Sequence, residues 1–369
     1  MADWIDNITN NYVRKLVPYQ SARRLFSSDS AQGQPLWLNA NEAPEAENID
    51  IDSSLFNRYP DCQPTSVIDA YAAYAGLNKK QVLVSRGADE GIELIIRAFC
   101  APGKSSILIC PPTYGMYAIS AETFNVGVER APLNKDFTLQ LDEIEKYVDK
   151  VNVVFLCSPN NPTGTLISQQ QIRQVLSMFE GKAVVVLDEA YIEFSHQDNQ
   201  SALLAEYENL VILRTLSKAF ALAGIRCGFT LASEKIIQTL LKVIAPYPVP
   251  APVAQVAAKA LSTTGINKTL VRVKKLSSEL TRIQLHLLTI EGVSIVGDTK
   301  GNFVLFRHPE NPELMQYLVS QNLYIRDQSK QLLLDNCLRI TVGTVDENNR
   351  LLDAINAFFT NPLARQNKE

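Results

Sequence analysis

One lysine in this sequence stands in a setting that suits an amine nucleophile. The segment 215–226 reads TLSKAFALAGIR, so Lys218 follows Thr215 and Ser217, and Arg226 comes eight residues later. Burial among apolar residues lowers the pKa of a lysine, and its neutral amine can form a Schiff base with a carbonyl. The hydroxyls and the guanidinium are donors that suit a phosphate dianion. Taken alone, the segment is more typical of a surface lysine after a strand.

Polar residues that follow two apolar runs predict hydrogen-bonding groups at one edge of a sheet. Asp188 ends the run VVVLD, and Tyr191 comes three residues later. A buried carboxylate needs a cationic or hydrogen-bonded partner, and a protonated pyridine nitrogen is one such partner. The turn SPNNPTG at 158–164 follows another apolar run, and Asn161 within it can donate a hydrogen bond to a ring hydroxyl. The alternatives are a helix N-cap at Asp188 and a plain turn at 158–164.

A third junction between a strand and a helix is a candidate phosphate site. The residues GAD at 87–89 form a predicted turn between an apolar strand at 82–85 and a helix that begins near Glu90. Backbone N–H groups and the dipole at the start of a helix bind phosphate. The junction has neither a GxGxxG nor a GxxxxGKS pattern, which disfavours a dinucleotide site and a P-loop.

Strands and helices alternate through the part of the chain that carries these residues. The strands are apolar on both faces, as in a mostly parallel sheet covered by helices, so we predict an α/β fold. The predicted strands are 82–85, 106–110, 151–157, 183–187, 210–213 and 227–231, and the predicted helices between them are 90–100, 114–124, 141–150 and 168–179.

Four prolines between 246 and 252 interrupt this series, and a smaller α+β domain is predicted beyond them. Its predicted elements are helices at 253–261, 268–291, 312–321 and 346–359 and strands at 303–306 and 338–342. We therefore expect an N-terminal segment (1–40) that joins the small domain or the subunit interface, a large domain (41–262) and a small domain (263–369).

The composition excludes several classes of protein. The 369 residues are 46% hydrophobic, and the net charge of −4 provides no basic field for nucleic acid or an anionic membrane. The chain has no run of about 18 apolar residues, and its start, MADWID, lacks the pattern of a secretory signal. The six cysteines are far apart without a CxxC pair, so we expect reduced thiols in a cytoplasmic protein and no metal site.

Together, the motifs at 158–164, 188–191 and 215–229 resemble those of the fold-type I pyridoxal-phosphate aminotransferases. The resemblance extends over nearly the whole chain, from LNANE at 38–42 to LRITVG at 338–343. It implies pyridoxal 5'-phosphate as the cofactor, held by Lys218 through a Schiff base. The same lysine would move the proton between the substrate Cα and the cofactor.

The resemblance also implies roles for the residues around the cofactor. Asp188 would pair with the pyridinium nitrogen, and Asn161 and Tyr191 would bind the ring oxygen, so that Lys218, Asp188 and Tyr191 are the expected catalytic residues. Tyr59 would reach the cofactor phosphate of the neighbouring subunit, which implies a homodimer. The other implied cofactor-binding residues are Ala88, Asp89, Tyr114, Thr215, Ser217 and Arg226.

For the substrates, the resemblance implies that Arg339 binds the carboxylate of glutamate and that Arg326 binds a substrate phosphate, with Tyr19 and Asn39 nearby. The implied reaction converts L-histidinol phosphate and 2-oxoglutarate into 3-(imidazol-4-yl)-2-oxopropyl phosphate and L-glutamate, a step of histidine biosynthesis. An aromatic amino-acid aminotransferase and a threonine-phosphate decarboxylase on the same fold are the alternatives. A non-catalytic, cofactor-binding regulator is disfavoured, because the chain lacks a basic DNA-binding segment.

Overall fold

A seven-stranded sheet organises the larger part of the chain. The computed structural model describes residues 4–18 and 35–360. The strands of the described residues, which belong to this sheet and to two smaller ones, are β1 (Leu36–Trp37), β2 (Val82–Ser85), β3 (Ser106–Ile109), β4 (Gly127–Arg130), β5 (Val153–Cys157), β6 (Val184–Asp188), β7 (Leu210–Thr215), β8 (Gly228–Ala232), β9 (Ser294–Ile295), β10 (Phe303–Arg307), β11 (Leu323–Tyr324), β12 (Arg326–Asp327) and β13 (Cys337–Thr341).

Helices cover this sheet and fill the rest of the structure. The α-helices are α1 (Trp4–Ile8), α2 (Thr65–Ala75), α3 (Gly87–Phe99), α4 (Met116–Thr123), α5 (Leu141–Glu145), α6 (Gln169–Met178), α7 (Glu234–Leu240), α8 (Ala251–Ala260), α9 (Thr263–Leu287), α10 (Asn311–Ser320) and α11 (Val345–Thr360). Short 3₁₀ segments are Val13–Lys15, Lys79–Gln81, Ile192–Asp198, Ser201–Ala205 and Ala223–Ile225. Among the described residues, no helix combines the length and the apolar character that crossing a membrane requires.

The large sheet has the strand order β2-β8-β7-β6-β5-β3-β4, and only β8 runs antiparallel to its neighbours. The predicted α/β fold with a mostly parallel sheet is therefore confirmed. In the register, Asp188 lies opposite both Cys157 and Leu213, so β5 and β6 end together and β7 ends two residues beyond them. The residues after these strands must consequently meet at one edge of the sheet.

The central strands β5, β6 and β7 are apolar except at Asp188, Arg214 and Thr215, because both faces of the sheet are buried. Val185 and Ile212 belong to a core formed with α2, α5, α6 and α8, whereas Val186 and Val211 belong to a core on the other face with α3, α4 and α7. Consecutive strand residues alternate between the two faces, so both need apolar side chains. Full burial of each such side chain contributes roughly 1.5–3 kcal/mol.

A separate core lies around the smaller, antiparallel sheet β12-β13-β10-β9 and the helices α9, α10 and α11. Leu36 and Leu38 from the N-terminal side pack into this core, and β1 pairs in parallel with β11. The C-terminal half of α9 contributes Leu276, Leu280 and Ile283 to it. The domain boundaries at 40 and 262 stay predictions.

The start of α3 differs from the sequence-based expectation. The predicted turn at 87–89 is wrong, because Gly87 already begins the helix. The carboxylate of Glu90 accepts a hydrogen bond from the backbone N–H of Arg86 at 2.6 Å, which stabilises the first turn. Helix α9 also begins earlier than predicted, because the Ser262 hydroxyl caps it by accepting from the N–H of Gly265 at 3.2 Å. Helices α2 and α7 were not predicted from the sequence.

The turn 158–164 joins the large sheet to the smaller one through backbone contacts. The N–H of Asp298 donates to the carbonyl of Thr163 at 2.8 Å. Gly164 has a φ of +68°, and a Cβ there would lie 2.1 Å from the carbonyl oxygen of Asp298. Likewise, a Cβ on Gly297 would lie 2.1 Å from the carbonyl oxygen of Thr163. Both glycines are therefore needed for this close approach.

We expect Gly164→Ala to destabilise the protein more than Gly76→Ala does. Gly76 has the same φ of +68°, but no atom lies within 4 Å of the position that a Cβ would take, so alanine there costs only the backbone strain, about 1–2 kcal/mol. Alanine at 164 adds a clash with backbone and should cost about 1–3 kcal/mol more. Denaturant unfolding followed by circular dichroism measures both values, and equal losses would contradict the close packing.

Candidate active site

A cavity of about 520 Å³ opens at the edge where β5, β6 and β7 end. Tyr59 does not line it, and Tyr19 lies outside the described residues. The structure brings together in this cavity the following residues that the sequence analysis selected: Asn39, Ala88, Asp89, Tyr114, Asn161, Asp188, Tyr191, Thr215, Ser217, Lys218, Arg226, Arg326 and Arg339.

Lys218 lies three residues beyond the end of β7, with its amine in the cavity. Its Nζ donates a hydrogen bond to the carbonyl of Ala40 at 3.0 Å and lies 5.8 Å from the centre of the Tyr191 ring. Burial, together with the positive charge of Arg339, lowers the pKa of Lys218 to about 8. The amine thus reaches its neutral, nucleophilic form at far lower pH than an ordinary lysine does.

The carboxylate of Asp188 lies at the end of β6 and is only 2% exposed. One oxygen accepts from the Tyr117 hydroxyl at 2.6 Å and the other from the N–H of Ala190 at 3.0 Å. Burial raises the pKa of Asp188 to about 6, although the Tyr117 hydrogen bond lowers it. At neutral pH, the carboxylate is mostly ionised and lacks a cationic side chain beside it among these contacts, so it suits a cationic ligand atom.

Tyr191 presents its hydroxyl to the cavity between two asparagines. The hydroxyl accepts hydrogen bonds from Nδ2 of Asn41 at 2.9 Å and from Nδ2 of Asn161 at 3.4 Å. Burial raises the pKa of Tyr191 to about 12, so the phenol keeps its proton at neutral pH. Because its oxygen accepts two bonds already, its own O–H is the group that can donate to a ligand oxygen.

Two arginines lie directly opposite each other on neighbouring strands, Arg326 on β12 and Arg339 on β13. Arg339 donates to Oδ1 of Asn161 at 2.5 Å and to the carbonyl of Asn39 at 3.0 Å, and its guanidinium lies 5.3 Å from the Phe303 ring centre. Within the described part of the chain, the buried Nη1 of Arg326 has no hydrogen-bond partner. Like charges placed opposite each other are destabilising, so this pair suits an anionic ligand.

Hydrogen-bond donors gather where the first turn of α3 meets the end of β7. The Thr215 hydroxyl donates to Oγ of Ser217 at 2.9 Å, and Nη1 of Arg226 donates to the same oxygen at 3.4 Å. Arg226 also pairs with Asp89 at 3.0 Å. A Cβ on Gly87 would lie 2.7 Å from Nη2 of Arg226, so glycine leaves room for the guanidinium. The helix start, the hydroxyls and the guanidinium fit a phosphate group.

The residues of the cavity fit the chemistry of pyridoxal phosphate. A buried carboxylate at Asp188 suits the ring nitrogen, the O–H of Tyr191 suits the ring oxygen, and the amine of Lys218 suits the carbonyl. Tyr114 adds an aromatic face, and its hydroxyl donates to Oδ1 of Asp89 at 3.1 Å. Within the described residues, no group of three His, Cys, Asp or Glu side chains is arranged to hold a metal ion.

Two residues that shape the site were not selected from the sequence. Tyr117, the partner of Asp188, lies in α4 and stacks on Phe155 with ring centres 4.7 Å apart, so its sequence signal is that of a core residue. Asn41 adopts a φ of +53°, a conformation that asparagine tolerates better than most residues. Its place in the LNANE segment was the only available signal.

The pKa of Lys218 can be tested directly on the cofactor-free protein. We expect the rate of Lys218 acetylation, followed by peptide mass spectrometry, to rise with a midpoint near pH 8, against 10.5 for an ordinary lysine. The variant Arg339→Met should move the midpoint upward, because it removes a neighbouring positive charge. A midpoint above pH 10 in the unmodified protein would contradict the assigned environment.

Comparison with known proteins agrees with this geometry. Residues 31–355 match the family model described as aminotransferase class I and II. The chain is 58% identical over 356 residues to the histidinol-phosphate aminotransferase of Pseudoalteromonas atlantica, and the match covers 96% of each chain.

Solved structures agree as well. The histidinol-phosphate aminotransferase of Clostridium acetobutylicum superimposes with a TM-score of 0.80 at 26% identity, over 88% of this chain and 99% of that one. The enzyme of the same name from Sinorhizobium meliloti, in complex with pyridoxal-5'-phosphate, gives a TM-score of 0.83 at 19% identity, over 97% and 98% of the two chains. The resemblance found in the motifs is confirmed, and the chain belongs to the family of class I and II aminotransferases.

Proposed function

We propose that this protein is a pyridoxal-phosphate-dependent aminotransferase that converts L-histidinol phosphate and 2-oxoglutarate into 3-(imidazol-4-yl)-2-oxopropyl phosphate and L-glutamate, in histidine biosynthesis. The observation that carries the proposal is the opposed pair Arg326 and Arg339 on the wall of the cavity that contains Lys218 and Asp188. Two guanidiniums match a phosphate on one substrate and a carboxylate on the other. The 58% identical relative has the same activity in its name.

Each residue near the cofactor has a distinct task in this proposal. When bound, pyridoxal phosphate supplies the carbonyl and the electron-accepting ring on which amino-group transfer depends. Lys218 would hold that carbonyl through its amine, and the same amine would take the proton from the substrate Cα. Asp188 keeps the ring nitrogen protonated, and Tyr191 and Asn161 donate to the ring oxygen. The proposed phosphate ligands are Ala88, Asp89, Thr215, Ser217 and Arg226, and Tyr114 stacks on the ring.

The two arginines are the proposed ligands of the substrate carboxylate and of the substrate phosphate. Arg339 is held in place by Asn161 and by the carbonyl of Asn39, so its fork is oriented before the carboxylate of glutamate arrives. Arg326 has a buried Nη1 without a partner in the described part of the chain, which suits the larger phosphate. We further propose that Asn39 and Tyr19 lie close to the bound substrate.

We also propose a homodimer in the cytoplasm, with Tyr59 reaching the cofactor phosphate of the partner. Tyr59 is 82% exposed in the single chain and stacks on Tyr247 with ring centres 4.5 Å apart. Leu55 and Phe56 beside it are exposed as well, and clustered apolar side chains are typical of a contact surface.

The cysteines support the proposed cytoplasmic location. All six are unpaired, which suits a reducing compartment. For the proposed homodimer, sedimentation equilibrium should give a molecular mass of twice the 41.0 kDa of one chain.

The proposed activity is tested by comparing substrates on the purified holoenzyme. We expect kcat/KM for L-histidinol phosphate with 2-oxoglutarate to exceed that for L-phenylalanine or L-aspartate by about 100-fold, the effect of roughly 2.7 kcal/mol of additional binding at the phosphate. L-threonine phosphate is the essential comparison, because it carries both anionic groups in one molecule. Release of carbon dioxide from it, or faster turnover of an unphosphorylated amino acid, would contradict the proposed substrate.

A further inference from the structure

Two glutamines on the cavity wall have no task in the reaction described above. Gln328 lies two residues beyond Arg326, and its backbone N–H donates to the carbonyl of Cys337 at 3.0 Å, which continues the pairing of β12 with β13. In extended chain, residues two apart face the same side, and both side chains line the cavity. Gln328 is only 6% exposed, so bulk water competes little for a hydrogen bond from its amide.

The second glutamine determines which end of the Gln328 amide faces the ligand. Nε2 of Gln331 donates to Oε1 of Gln328 at 2.7 Å, and the backbone N–H of Gln331 donates to the carbonyl of Gln328 at 3.0 Å. The carbonyl end of the Gln328 side chain is therefore occupied. Its Nε2 donates to no other residue within the described part of the chain. This amide nitrogen belongs to the same wall as the unpartnered Nη1 of Arg326.

We propose that Gln328 is a specificity-determining residue that donates a hydrogen bond from Nε2 to the phosphate of the substrate, and that Gln331 is the residue that positions it. This inference rests on the proposed function, since it assigns a further contact to the phosphate of histidinol phosphate. It gives Gln328 the task of separating a phosphate from a carboxylate.

The chemistry of the two anions explains why a neutral donor fits here. A carboxylate has two oxygens, and the fork of one arginine can satisfy both. A phosphate monoester has three terminal oxygens and therefore accepts more hydrogen bonds than Arg326 alone can donate. A third cation beside Arg326 and Arg339 would add repulsion between like charges, whereas an amide adds a donor without charge.

The test compares the two amino donors separately on the holoenzyme, using the absorbance change of the cofactor in each half-reaction. We expect Gln328→Leu to raise the half-saturating concentration of L-histidinol phosphate about tenfold or more, as for the loss of one hydrogen bond to a charged group. The value for L-glutamate should change less than about threefold. Gln170→Leu, at an exposed position in α6, is the matched control and should change neither value.

A binding measurement without chemistry provides a second readout. Propyl phosphate and butyrate carry the two anionic groups but no amine, and calorimetry on the holoenzyme gives their dissociation constants. Gln328→Leu should weaken the binding of propyl phosphate and leave the dissociation constant of butyrate unchanged. Gln331→Leu should weaken propyl phosphate by a smaller factor, because it releases the orientation of Gln328 while keeping the donor.

Four results would overturn the inference. Equal losses for both amino donors in Gln328→Leu would show a general effect on the site, and unchanged affinity for histidinol phosphate would show no contact. If Gln331→Leu alters the thermal stability but leaves the affinity for propyl phosphate intact, Gln331 does not position Gln328. If the unsubstituted holoenzyme does not respond to histidinol phosphate, the proposed function fails and the inference fails with it, so the two failures are distinguished before any variant is measured.

Discussion

The buried carboxylate of Asp188 is the interaction on which the rest of the site depends. Burial penalises its charge, yet the Tyr117 hydroxyl and the N–H of Ala190 hold both oxygens in place at the end of β6. Because β5 and β6 end in register and the neighbouring β7 ends only two residues beyond them, the turn with Asn161 and the segment with Lys218 are brought to the same edge. A ligand with a cationic ring nitrogen would satisfy the carboxylate at the place where the amine of Lys218 and the proposed phosphate ligands also face the cavity.

The second part of the structure completes the site from the opposite side. Arg326 and Arg339 come from β12 and β13, whereas Asn161, which accepts a hydrogen bond from Arg339, belongs to the turn of the large sheet. That turn is held against residues 297–300 through backbone hydrogen bonds and two glycines. Arg339, the proposed ligand of the substrate carboxylate, is thus linked to Asn161, the residue proposed at the cofactor ring, by a contact between the two parts of the structure.

Much of the fold could be predicted because the central strands are apolar on both faces over most of their length, and polar residues lie at or just beyond the ends of β5, β6 and β7. Those ends also provided the candidate residues, since Asp188 and Lys218 follow strands that the sequence marks clearly. Tyr117 was not predicted as a site residue because a buried tyrosine in α4 has the same sequence pattern as any aromatic residue of the core. Asn41 contacts Tyr191 across 150 positions of sequence, and no local pattern reveals such a pairing. The start of α3 depends on the side chain of Glu90 reaching back to Arg86, which spacing alone did not show.

The central claim is that one amine, that of Lys218, carries the cofactor. The most direct measurement is reduction of the holoenzyme with sodium borohydride, which converts a Schiff base into a stable secondary amine, followed by proteolysis and mass spectrometry of the peptides. The account predicts a single cofactor adduct on the peptide that contains Lys218. An adduct on another lysine, or none after reduction of enzyme that contains the cofactor, would contradict it.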